Sequence, residues 1–259
     1  MELNRLTITF ILETLFTGKI QHFKDEIGST NNWASQELKA TKVIEGTVYR
    51  VANQTNGKGQ RGRVWSSERN VNILSSFVFY PTFIKSENQF VLVQLVSLAI
   101  KDLLSNHVID TVKIKWPNDI YINHMKIAGV LIESTMKGSY LASSIWGIGL
   151  NVNQRLFENA PNATSLILET GRGFNLEMIL SELSFHLEKR YLQVKKNLNS
   201  LNQEYGDSLY RKEEICDFEL GNEIHQLVVK GVDESGQIML EDTFGRVNTY
   251  GLHQARMVI

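Results

Sequence analysis

Residues 57–63 read Gly57-Lys58-Gly59-Gln60-Arg61-Gly62-Arg63, and the first six match G-x-G-x-x-G letter for letter. A dinucleotide-binding fold would need a helix opening at the third glycine and an acid about 20 residues on for a ribose. Here Gly62 is followed by Arg-Val-Trp-Ser-Ser, which has no helical apolar period, and residues 72–82 contain no acid. The stretch therefore reads as a loop between strands. A plain solvated loop usually mixes charge signs. From Gly46 to Ser67 there is no Asp or Glu, whereas Arg50, Lys58, Arg61 and Arg63 are cationic. Glycines let backbone N–H groups curl around an anion and the cations neutralise it, so the loop reads as a phosphate or carboxylate site. Trp65, just beyond, either stacks on a base or packs into the core.

Working outward, residues 20–27 read as a strand and Asn31 to Leu38 as a short helix, with Ser29 or Thr30 as N-cap. Val43 to Ala52 and Asn72 to Tyr80 read as strands, and Gln89 to Ser105 as a long, mostly buried helix. Val112 to Trp116 is a strand ended by a turn at Pro117-Asn118-Asp119, and a hairpin turns at Asn123-His124 between 120–122 and 127–134. Tyr140 to Val152 is a further strand and residues 176–212 read as helical. After about Arg211, short β-like runs at 218–220, 226–232, 237–240 and 247–252 alternate with glycine turns, the pattern of a small barrel. The expectation is an α/β catalytic domain over 1–212 and a small β domain over 213–259.

Three further segments carry chemistry. In Lys115-Trp116-Pro117-Asn118-Asp119, a strand end closes in a turn, and Lys113 and Lys115 share a strand face. Asn118 and Asp119 either meet a ligand there or only shape the turn. Lys126 opens the apolar run that continues to Glu133; it is either an exposed strand end or a reach toward an anion, with Gly129 admitting a ligand to the backbone. In Gly147 to Asn153 the glycines point to a bulge, and Asn151 is a candidate reader of an adenine edge or a ribose.

Composition excludes several classes. The 259 residues carry 27 Lys+Arg against 28 Asp+Glu, a net charge of −1, which argues against general nucleic-acid or anionic-membrane binding. Cys216 is the only cysteine, so a disulfide within the chain is excluded, and it lacks the surroundings of a thiol nucleophile. The six histidines show no metal-ligand spacing. The apolar stretch from Phe90 to Ile100 is too short to span a bilayer, and the start, with Glu2, Arg5 and Glu13, does not read as a signal peptide. A cytoplasmic protein is expected.

Taken in order, Gly28-Ser29-Thr30-Asn31, Gln54 through Trp65, Lys115 to Asp119, Lys126 to Glu133 and Gly147 to Asn153 resemble the biotin–protein ligases. The resemblance implies a mixed-sheet catalytic domain of the class II synthetase-like type, with an SH3-like β-barrel as C-terminal domain. It implies that biotin and Mg·ATP form biotinyl-5′-AMP, whose biotinyl group passes to a lysine of a biotin carboxyl carrier protein of a carboxylase. Mg²⁺ would enter with ATP, with no fixed protein site.

The same resemblance places Ser29, Thr30, Asn31 and Gln54 around biotin. Gly57, Lys58, Gly59 and Gln60 would wrap its carboxylate, together with Lys126 and Gly129. Arg61, Arg63, Trp65, Lys115, Asn118 and Asn151 would serve the nucleotide. Lys126, Arg61, Asn118 and Asp119 form the implied catalytic set, with Asp119 as base for the acceptor lysine. Many bacterial members have arginine where this chain has Gln60, so Lys58 and Arg61 are expected to carry most of the anion binding. The motif at Gly28 leaves too few preceding residues for the DNA-binding domain of some relatives, so a ligase without DNA binding is expected. The rival readings are a lipoate–protein ligase and a non-catalytic biotin or adenylate sensor.

Overall fold

The computed structural model describes residues 13–158 and 160–258. The start of the chain, which does not read as a signal peptide, lies largely outside these residues. Seven strands form one mixed sheet: β1 (Gln21–Ile27), β2 (Val48–Gln54), β3 (Ile73–Phe79), β4 (Val112–Lys115), β5 (Asp119–Ile122), β6 (Met125–Lys137) and β7 (Tyr140–Leu150). Their order across the sheet is β1-β2-β3-β7-β6-β5-β4. β1 and β2 are parallel because helix α1 (Thr30–Ala40) carries the chain back between them, and the other pairs are antiparallel.

Side-chain alternation divides the sheet into two faces with different tasks. Phe77 and Phe79 of β3, with Trp146, Ile148 and Leu150 of β7, enter the main core. There they meet α2 (Phe90–Ser105) and α4 (Leu176–Lys196). α2 is apolar around most of its circumference, as befits a helix buried on nearly all sides. α4 is amphipathic, and its N-terminus is capped by the Asn175 side chain, which accepts from the N–H groups of Glu177 and Met178. The opposite face carries Val78 and Ile145 under Trp33 and Ala34 of α1. On that face Ser76, Gly147 and Gly149 continue the alternation, and the candidate site lies there.

Two short helices, α3 (Leu166–Thr170) and α5 (Asn202–Asp207), complete the helical set. The helix expected over 176–212 therefore breaks after Lys196, where Asn197 takes an extended conformation. The strand expected from Val43 starts only at Val48, because 43–47 turns through Gly46 at φ 81°. The C-terminal strands are β8 (Ile215–Leu220), β9 (Glu223–Val232), β10 (Ile238–Glu241), β11 (Val247–Tyr250) and β12 (Ala255–Met257). They form a separate antiparallel sheet in the order β11-β10-β9-β8-β12. Its edges among the described residues are β11 and β12, and the turn after β11 carries the chain across the small β domain to pair with β8.

This small sheet is packed onto the rest of the chain. Phe218, Val229, Ile238, Leu240 and Met257 belong to the same apolar core as α2. Trp116 Nε1 donates to Gly236 O at 2.9 Å, across the junction.

Candidate active site

A cavity of about 330 Å³ opens on the α1 face of the mixed sheet. Among the sequence-predicted residues, Ser29, Thr30, Asn31, Gln54, Lys58, Gly59, Gln60, Arg63, Trp65, Lys115, Asn118, Asp119, Lys126 and Gly129 all line it. Gly57 and Asn151 do not. Nothing is described of the Arg61 side chain; its backbone lies in a single 3₁₀ turn over Gln60–Gly62.

One end of the cavity is neutral and hydrogen-bonding. Ser29 holds the N-cap position of α1 but makes no capping bond with its side chain, which leaves the hydroxyl on the cavity wall. Gln54 Oε1 instead accepts the Thr30 N–H at 2.8 Å and the Thr30 hydroxyl at 3.2 Å. Asn31 lies over Gly147, where an added Cβ would stand 2.4 Å from Asn31 Oδ1. Gly147 and Gly149 lie in unbroken register opposite Leu131 and Gly129, so they mark close approach rather than the expected bulge.

The middle is roofed by the loop. Trp65 N–H donates to Gly57 O at 3.0 Å, Gly59 N–H donates to Arg63 O at 2.7 Å, and Lys58 bridges Val64. The result is a tight hairpin with Gly57 at its base, which explains why Gly57 shapes the site without facing it. Lys58 Nζ donates to Asn32 Oδ1 at 2.7 Å, tying the loop to α1. The Trp65 indole lies flat on the sheet: a Cβ at residue 149 would stand 2.4 Å from Trp65 Cε2, and one at 129 would stand 2.9 Å from Cζ3. Trp65 Nε1 is buried and makes no hydrogen bond.

The far end is cationic. Lys58, Arg63, Lys115, Lys126 and Arg256 face a single carboxylate, Asp119, among the described lining residues. Lys126 reaches this face through a β-bulge. Ile120 pairs with Ala128 and Tyr121 with Lys126, so Ile127 is an extra residue. Ile127 and Ala128 both enter the core, and the slip re-aims Lys126 into the cavity. Lys126 Nζ stands 2.7 Å from Asp119 Oδ1 and 5.4 Å from the Trp65 ring centre. Burial, and then the charges of Lys126, Arg63 and Arg256, pull the Lys115 ammonium down to about 8 against the opposing pull of Asp119.

Two predicted side chains are engaged elsewhere. The Asn151 amide donates to Thr164 O at 2.9 Å, just beyond the end of β7. The Asn118 amide donates to Val130 O, while Asn118 O accepts the Val130 N–H at 3.2 Å, so Asn118 works first as an extension of the β6 ladder. Asn162, Tyr121, Arg256 and Met257 also line the cavity, although no local pattern singles them out. Arg256 and Met257 come from β12, which crosses beside Lys115; Lys115 Nζ donates to Met257 O at 3.4 Å. Among the described residues, no group of three or more His, Cys, Asp or Glu is placed to hold a metal ion. No described helix is long and apolar enough to cross a membrane.

The family model for biotin/lipoate A/B protein ligases matches residues 24–151, a span that holds most of the cavity wall. The chain is 33% identical over 196 residues to the bifunctional ligase/repressor BirA of Bacillus spizizenii, covering 73% of this chain and 59% of that protein. It is 29% identical over 184 residues to the biotin–[acetyl-CoA-carboxylase] ligase of Mycobacterium tuberculosis, covering 70% and 67%. The chain thus spans about three fifths of the length of the BirA relative. The structure of the biotin protein ligase from Aquifex aeolicus in complex with biotin and ATP superposes with a TM-score of 0.77 at 25% identity. That match covers 93% of this chain and 99% of the other.

Proposed function

We propose that the chain, whose residues 24–151 match the family model for biotin/lipoate A/B protein ligases, activates biotin with Mg·ATP and biotinylates a carrier protein. The observation that carries this reading is the polarity of the cavity. A neutral pocket of hydroxyl and amide groups at Ser29, Thr30, Asn31 and Gln54 adjoins five cations set against one carboxylate. A cyclic urea needs neutral donors and acceptors. The carboxylate and triphosphate beside it need cations.

In the first step, a carboxylate oxygen of biotin attacks the α-phosphorus of ATP, the bond to pyrophosphate breaks, and biotinyl-5′-AMP forms. Two anions approach one another here, so positioning and charge stabilisation dominate the barrier. Lys126 exchanges its Asp119 contact for the biotin carboxylate and the α-phosphate. Lys58, Arg61 and Arg63 hold the phosphates, Gln60 adds hydrogen bonds, and Lys115 and Arg256 neutralise the departing pyrophosphate. Trp65 supplies a flat face for adenine, and Asn118 and Asn151 shape the nucleotide end through the backbone they hold. Mg²⁺ arrives as part of the nucleotide substrate.

In the second step, a lysine amine of a biotin carboxyl carrier protein attacks the acyl carbon. AMP leaves, and Asp119 takes the proton the amine sheds. The loop over 57–63 and the Trp65 indole cover the mixed anhydride from water. Residues 1–212 serve as the catalytic domain, while 213–259 form a small domain that completes the cation set through Arg256. The enzyme works in the cytoplasm.

Biotin-dependent exchange of labelled pyrophosphate into ATP, run beside lipoate and octanoate, tests the reading. Exchange with biotin alone supports it. Exchange with lipoate alone moves the chain to the other branch of the family, and binding without exchange makes it a sensor.

A further inference from the structure

We propose that Ser76 and Glu133 are positioning residues that fix the Asn31 amide as a hydrogen-bond acceptor toward the biotin ring; this rests on the biotin reading above. Neither residue is among those the resemblance places on biotin: Ser76 sits in the middle of β3, and Glu133 lies on β6 beyond the stretch paired with β5. Ser76 is fully buried, and its Oγ stands 2.6 Å from Asn31 Oδ1 and 2.7 Å from Thr30 Oγ1. Its one proton serves these two acceptors. On the other side, Asn31 Nδ2 donates to Glu133 Oε2 at 2.7 Å and to Leu131 O at 3.3 Å.

These partners decide which way round the amide sits. A carboxylate can only accept, so Nδ2 must face Glu133, and Oδ1 must face the Ser76 hydroxyl. Both Asn31 protons are then spent inside the wall, and the remaining capacity of the side chain is a lone pair on Oδ1. Gln54 is fixed in the complementary sense. Its Oε1 accepts twice from Thr30, so what it can offer a ligand is the Nε2 donor. One acceptor and one donor side by side match a urea, whose N–H donates and whose C=O accepts. Without Ser76 and Glu133 only the 3.3 Å bond to Leu131 O would distinguish the two ends of the Asn31 amide, and the turned orientation would set a donor against the ring N–H.

Glu133 makes the inference testable without threatening the fold, because it is exposed and forms no salt bridge among the described residues. The test measures Michaelis constants for biotin and ATP in pyrophosphate exchange, with direct calorimetric binding of biotin, for wild type, Glu133→Ala, Glu133→Gln, Ser76→Ala and Glu133→Ala/Asn31→Ala. Glu133→Ala and Ser76→Ala should each raise the biotin constant about tenfold, the scale of one hydrogen bond to a charged or buried group. The ATP constant should hold, and kcat at saturating biotin should stay near wild type. Glu133→Gln, which keeps an acceptor, should recover much of the loss, and adding Asn31→Ala to Glu133→Ala should cost little more. Unchanged biotin constants in Glu133→Ala, or fully additive losses in the double variant, would overturn the inference while leaving the biotin reading intact. Failure of the wild type to bind biotin would instead overturn the biotin reading.

Discussion

The Lys126 ammonium stands 2.7 Å from the Asp119 carboxylate at the turn between β4 and β5, an ion pair formed by the one carboxylate among the described lining residues of the cavity. Both side chains remain partly exposed, at 30% and 20%, so neither is locked into the core. A pair so placed opens when a stronger anion arrives.

Lys126→Ala should therefore lower biotin-dependent pyrophosphate exchange by at least ~10²-fold, the scale for removing one preorganised charge stabiliser. Thermal melting should move little, because the Lys126 side chain is partly solvated and outside the apolar core. A variant that melts early and exchanges normally once folded would make Lys126 structural.

Asp119→Asn separates the two half-reactions. Adenylation needs the lysine and not the carboxylate, so pyrophosphate exchange should change only a few-fold. Transfer from preformed biotinyl-5′-AMP to a carrier lysine should fall by about 10²-fold, the typical worth of a positioned general base. Equal losses in both steps would show that Asp119 only holds Lys126.

Lys115 sets a pH dependence. Its ammonium is drawn down to about 8, chiefly by burial and then by neighbouring cations, so the charged form is progressively lost as pH rises through that value. Only the charged form favours triphosphate. ATP affinity should weaken from pH 7 to 9, with proton uptake on binding at the upper end. Lys115→Arg should flatten the profile, since a guanidinium keeps its proton throughout. Calorimetry in buffers of different ionisation heat reads the proton count.

Far from the cavity, Arg190 of α4 joins Asp102 of α2 through paired contacts at 2.7 and 2.8 Å and reaches Glu204 of α5 at 2.7 Å. Burial alone would raise the Asp102 pKa, but the neighbouring His186, 3.7 Å away, and the hydrogen-bonded Arg190 guanidinium hold it at about 2. A carboxylate held low contributes stability above its unfolded value and loses it as pH falls through the folded one. Urea titrations should show this cluster failing between pH 4 and 2. Arg190→Ala should cost about 1–3 kcal/mol by removing the buried guanidinium that pairs the partly exposed Asp102 and Glu204, with kcat unchanged in the protein that stays folded.

Much of the site could be read locally. The glycine loop, the strand-ending turn at 117–119 and the hairpin at 123–124 each carry their own signal within a few residues, and the structure places them as read. What local alternation alone does not give depends on distant chain or on broken period. Lys126 reaches the cavity only because Ile127 is an extra residue, and a strict two-residue alternation would misplace it. Arg256 enters on β12, near the other end of the described chain from the glycine loop. Ser76 is an ordinary strand serine until Asn31 is folded against it. Asn151 looked free to read a base, but Thr164 O holds its amide. Gly46, with its positive φ, delayed a β-branched run that otherwise has strand character.

Covalent transfer is the most direct measure of the central claim. The full chain is incubated with biotin, Mg·ATP and a biotin carboxyl carrier domain, and the domain is weighed by mass spectrometry. One biotinyl group per domain is predicted, on the acceptor lysine, dependent on both small molecules and abolished when that lysine is arginine. An unmodified domain, from protein that binds both biotin and ATP, would contradict the assignment.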